Sequence, residues 1–140
     1  MRRTVAALLA AAVALSSCDL IQGAADPFPE PCPDEAYGSG EGYNAAARDC
    51  LWKAFSEGQA ASFMTTRITP QRDPIVTRVT VRPGGRVEIF YDSSLDTFSN
   101  TKGKNTLTCT TFRRSVDPGN GRIRFLADTC RGGDIRALVF

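Results

Sequence analysis

Five cysteines, a run of acidic and hydroxyl side chains between Asp92 and Asn100, and two groups of arginines are the residues of this 140-residue chain with obvious chemical potential. There is no histidine. That removes Ser-His-Asp and Cys-His catalysis and His-ligated zinc together, because each uses imidazole as base or ligand. Asp92, Ser94, Asp96 and Asn100 fall at the 1, 3, 5 and 9 offsets of a calcium loop, and Phe98 is placed to offer its carbonyl. The sixth place, which needs Gly, holds Thr97, and the twelfth, which needs Glu, holds Gly103. The segment therefore reads as a loop whose Asp and Asn side chains satisfy its own backbone. Asp92 and Asp96 also form a carboxylate pair, but nothing in the neighbouring sequence would raise the pKa of either, as acid catalysis requires. No catalytic residue, metal or cofactor is assigned, and the chain is expected not to be an enzyme.

The arginines offer binding rather than catalysis. Arg78, Arg82 and Arg86 fall on one face of a predicted hairpin, and Arg113, Arg114, Arg122 and Arg124 gather about another. Guanidinium groups suit an anionic glycan or an acidic envelope protein. Nucleic acid is not expected, because residues 18–140 carry fifteen basic residues against fifteen acids and no recognisable reader motif. The row Thr106, Thr108 and Thr110 lies on a single strand without repeats, so it is no ice-binding array.

Export follows from the first eighteen residues. Arg2 and Arg3 precede an apolar stretch from Thr4 to Leu15, which is shorter than the roughly 20 residues of a membrane-spanning helix and matches a signal peptide over residues 1–17. Leu15-Ser16-Ser17-Cys18 resembles the bacterial lipobox, which implies diacylglycerol transfer to the Cys18 sulfur and cleavage before it. Ala24-Ala25 is the alternative cleavage site of an ordinary secreted protein. The expected location is the cell membrane, with the chain lipid-anchored on its extracytoplasmic side. Residues 18–60 then carry eight acids against Arg48 and Lys53, whereas residues 61–140 carry thirteen basic residues against seven acids.

With Cys18 assigned to the lipid, Cys32, Cys50, Cys109 and Cys130 remain, an even number in an oxidising compartment. Four cysteines permit three pairings. Cys32 with Cys50 and Cys109 with Cys130 are favoured because each pair is close in sequence and joins adjacent elements. Each closed loop of some twenty residues would contribute roughly 3 kcal/mol on the chain-entropy model.

The elements that must position these groups follow from periodicity. Residues 18–42, rich in Pro, Gly and acids, read as an extended tether. The stretch from Tyr43 to Glu57 carries Ala47, Cys50, Leu51, Ala54 and Phe55 on one helical stripe, with Asn44 as N-cap and Gly58 as stop. Trp52 lies off the stripe and reads as a cover for the core rim. Strands are predicted over Phe63–Thr69, Ile75–Arg82, Val87–Tyr91, Thr106–Arg113 and Arg122–Ala127, with Ile135–Phe140 as a further edge strand. Setting Val81 opposite Val87 sets Val79 opposite Ile89, Thr80 opposite Glu88 and Arg78 opposite Phe90. The expected domain, residues 43–140, is α+β: one amphipathic helix packed on a four- to five-stranded antiparallel sheet, with two disulfides.

Thr66-Arg67-Ile68-Thr69, Asp73-Pro74-Ile75, the hairpin ending at Tyr91-Asp92, Asp96-Thr97-Phe98 and the Cys109 and Cys130 pair resemble an uncharacterised family of small bacterial lipoproteins. The likeness runs from about Cys50 to Cys130, and Arg72 stands where that family often has Gly. It implies an exported fold and no particular activity. The leading functional reading is an envelope lipoprotein presenting a non-catalytic binding or structural domain. The alternative is a lipid-anchored inhibitor or immunity-like protein acting on a secreted hydrolase.

Overall fold

A computed structural model describes residues 30–38, 41–99 and 102–140. Residues 1–17, expected to form a signal peptide, Cys18 and Asn100 lie outside the described residues.

The helix forms where the stripe places it. Helix α1 spans Ala45–Ser56, and the Asn44 side chain accepts a hydrogen bond from the Ala47 amide at 3.1 Å, which caps the first turn. Its stripe buries Ala47 and Leu51 completely. The chain leaves the helix through Gly58, whose φ of 67° is open to glycine at no steric cost. Trp52 and Phe55 stand 5.4 Å apart and meet Phe112 at 6.2 and 5.0 Å. Trp52 thus joins an aromatic cluster that fastens the helix to the far half of the sheet.

Eight strands are present among the described residues: β1 (Glu30–Pro31), β2 (Glu35–Tyr37), β3 (Ala61–Ile68), β4 (Pro74–Val81), β5 (Val87–Asp92), β6 (Lys104–Val116), β7 (Ile123–Arg131) and β8 (Ala137–Val139). They form one sheet in the order β1-β3-β4-β5-β6-β7-β8, with β2 also on β3, and the sheet curls into a half-barrel. From β3 to β8 each pair is antiparallel. The β4–β5 register follows the sequence: Val81 faces Val87, Val79 faces Ile89, Thr80 faces Glu88 and Arg78 faces Phe90. Along β4, Ile75, Thr77, Val79 and Val81 all point inward and are buried.

The sheet is nonetheless larger than the four or five strands expected, and it is not wholly antiparallel. β1 and β2 run parallel to β3, with Glu30 opposite Ala61 and Glu35 opposite Thr65. Both lie in the stretch assigned to the tether. They are two and three residues long, and Pro31 and Pro33 argue against strand by propensity. An edge position tolerates such prolines because only one side of the strand must pair. The folded body therefore includes residues 30–38, with Cys32 and Glu35 both buried. Gly42 returns the chain from β2 to α1 at φ 81°, where a Cβ would lie 1.9 Å from the Ala36 carbonyl oxygen.

Both expected disulfides are present. Cys32–Cys50 ties the β1–β2 segment to α1, and Cys109–Cys130 joins directly paired residues of β6 and β7.

Candidate functional site

A curled open sheet has two ends, and here they are joined by side chains. Arg48, on the first turn of α1, is 2% exposed; Glu35, on β2, is 5% exposed. The guanidinium donates to Glu35 Oε1 through Nε at 3.0 Å and through Nη2 at 2.5 Å. Its Nη1 reaches the other end of the sheet and donates to the carbonyls of Ile123 and Phe140, both at 2.9 Å. Glu35 also accepts from the Thr65 hydroxyl at 2.8 Å and from the Asn44 amide at 3.0 Å. The Tyr43 hydroxyl accepts the Ile123 amide at 2.6 Å. Four rings, those of Tyr37, Tyr43, Phe63 and Phe125, lie 5.4–5.9 Å from the guanidinium carbon. A buried charge is tolerated only when paired and fully hydrogen-bonded, and this one is both.

Above this seam the half-barrel holds a cavity of about 390 Å³, within the size range of small-molecule sites. One wall is a cross-strand row, Thr65 on β3, Thr77 on β4 and Tyr91 on β5, with Arg67 and Ile75 beyond it. The facing wall comes from Arg122, Ile123 and Arg124 and from Leu138 to Phe140. Tyr37 and Tyr43 complete it, so all three tyrosines of the chain line one space. Four arginines and no Asp or Glu contribute to the lining. The Arg48 charge is met by Glu35 and that of Arg124 by Asp117. Arg122 stacks 5.3 Å over Tyr43.

The arginines singled out by alternation do share the outer face of the β4–β5 hairpin. Arg78 and Arg86 are exposed and Arg82 is half-buried. Glu88 sits between two of them, accepting from Arg82 Nε at 3.1 Å and lying 3.6 Å from Arg86. Arg78 alone of the three has no acidic partner among the described residues; it contacts the Met64 sulfur at 3.9 Å. The second group is dispersed: Arg113 pairs with Asp128, Arg114 with Asp49 and Arg124 with Asp117, and Arg122 and Arg124 are among the residues lining the cavity.

The loop after β5 serves its own backbone. Asp92 Oδ1 accepts from the Ser94 amide and hydroxyl, and Asp96 accepts from the Phe98 amide. Those Ser94 bonds hold the Asp92 carboxyl below its usual range, with Lys104 3.5 Å away adding to the effect. Asp73, on the β3–β4 turn, is likewise held low by the hydroxyl and amide of Thr97. Among the described residues no three metal-ligating side chains converge.

No protein-family model, no curated protein and no solved structure matches the chain. The site is therefore read from its own geometry. Sequence patterning missed the cavity because its lining comes from five separate regions of the chain. One signal was available: Thr77 is the single hydroxyl on an inward face otherwise built of Ile75, Val79 and Val81.

Proposed function

We propose that this chain is a bacterial envelope lipoprotein, anchored through Cys18 on the extracytoplasmic side of a membrane, whose non-catalytic domain binds a partner or ligand. The observation that carries this reading is the cysteine pairing. Cys32, Cys50, Cys109 and Cys130 are all consumed in two disulfides, which leaves Cys18 as the odd thiol, placed directly after an apolar leader. Disulfides also accord with an oxidising compartment. The binding role is supported by the walled cavity, a more enclosed site than the outer arginine face, where Glu88 offsets two of the three charges.

The anchor is tested by growing cells with an alkynyl fatty acid. The natural chain should be labelled and sediment with membranes, and Cys18→Ser should be unlabelled and soluble. A Cys18→Ser chain that remains labelled and membrane-bound would overturn the assignment.

A further inference from the structure

We infer that the seam cavity binds a small ring-bearing anion, a carboxylate or phosphate carried on a flat body. The inference rests on the binding role proposed above and is independent of the anchor. The charge arrangement comes first. Arg48 and Arg124 are neutralised by Glu35 and Asp117, whereas Arg67 has no ion pair or hydrogen bond among the described residues and is exposed on the cavity side of β3. With no Asp or Glu in the lining, the Arg67 charge is not compensated by an acidic side chain. In a partly enclosed site such a field selects anions more strongly than the same charge on open surface does.

The walls select the body of the ligand. Tyr37, Tyr43 and Tyr91 all line the space, and the Arg122 guanidinium lies 5.3 Å over the Tyr43 ring, so aromatic and guanidinium groups recur around it. Flat faces of this kind stack on an aromatic ring or a sugar face. A bare inorganic anion would leave these walls in contact with water and gain nothing from them. The volume, about 390 Å³, is too small for deep burial of a long acyl chain.

Thr77 supplies an independent indication. It is 4% exposed and lines the cavity, yet its hydroxyl makes no hydrogen bond among the described residues, whereas its neighbour Thr65 donates to Glu35. No buried side-chain polar atom lacks a partner among the described residues, so this hydroxyl is open to the cavity and offers a polar contact to what enters it.

The test uses the chain from residue 18 carrying Cys18→Ser, soluble without detergent, titrated calorimetrically with 1-naphthyl phosphate, 1-naphthol and inorganic phosphate. Naphthyl phosphate should bind at least tenfold more tightly than either fragment and weaken as salt rises. Arg67→Gln should weaken it tenfold or more and Thr77→Val several-fold, with amide shifts confined to Thr77, Tyr91 and Arg122 and the melting temperature retained. Arg78→Gln, on the outer face, should leave it unchanged. Equal binding of naphthol and naphthyl phosphate would reduce the site to an apolar pocket and overturn the anion claim. Absence of naphthyl phosphate binding, or loss in Arg78→Gln equal to that in Arg67→Gln, would overturn the cavity as the site. Neither result bears on the Cys18 anchor, which the labelling experiment decides separately.

Discussion

Between Ala61 and Arg131 neighbouring strands are coupled residue by residue through main-chain ladders, and their inner faces meet as Val against Val and Ile against Leu. At the seam, where β2 and the first turn of α1 meet β7 and the C-terminal Phe140, one guanidinium, one carboxylate and one phenol make the connections instead. The strand body distributes its stability over many small terms. The seam concentrates it in a few buried polar contacts, each expensive to leave unmade.

The largest expected effect is therefore at the seam. Arg48→Met leaves the buried Glu35 carboxyl without its guanidinium partner, which costs about 3–5 kcal/mol for a pair of this kind. That is a large share of the roughly 5–15 kcal/mol of an ordinary domain. Arg82→Met removes the half-exposed pair with Glu88 from the strand body and should cost no more than about 1 kcal/mol. Replacing both seam partners, as Glu35→Leu with Arg48→Met, should recover much of the single-variant loss, because no orphan charge remains. Urea denaturation measures all three. If Arg48→Met is no more costly than Arg82→Met, the seam is not held by its ion pair.

The same contrast explains what the sequence revealed. Period-two alternation in Ile75–Val81 and Val87–Tyr91 was enough to specify register, since a one-residue slip would turn every Val outward. The α1 stripe and its Asn44 cap were equally plain, and both disulfide pairings followed from proximity in the chain. The seam left no comparable pattern. β1 and β2 are too short for alternation, and Arg48 lies beside the helical stripe at a position that reads as solvent-facing. Its burial depends on Glu35, thirteen residues earlier, and on carbonyls contributed 75 and 92 residues later. The cavity was hidden for the same reason, being made where distant strands converge.

The disulfides sharpen the comparison at intermediate magnitude. They span similar separations, 18 and 21 residues, so the chain-entropy model assigns each about 3 kcal/mol. They differ in what persists when they are cut. Residues flanking Cys109 and Cys130 remain paired across β6 and β7, whereas the segment around Cys32 is otherwise held by two very short strands and Glu35. Cys32→Ala with Cys50→Ala should expose residues 30–44 to limited proteolysis before global unfolding. Cys109→Ala with Cys130→Ala should lower the urea midpoint to a similar degree without a new cleavage site. Matching cleavage in both variants would show that the seam segment does not depend on its own disulfide.

The smallest effect concerns a side-chain tether that resembles the seam but faces water. Asp73 accepts the Thr97 amide at 2.9 Å and its hydroxyl at 2.5 Å, linking the β3–β4 turn to the β5–β6 loop. These bonds favour the charged carboxylate and hold its pKa below the ordinary value, near 3.9 in unfolded chains. A depressed folded-state pKa means the tether stabilises fully above that ordinary value, and its contribution fades as pH falls through the folded one. Asp73→Ala should thus lower the melting temperature slightly at neutral pH, by less than either change above, and the difference from the natural chain should shrink in acid. A difference that is the same at pH 7 and in acid would place the effect in the turn's backbone rather than in the charge. A loss at neutral pH as large as that of Arg48→Met would break the comparison itself, because an exposed carboxylate would then match a buried one, against the screening that water provides.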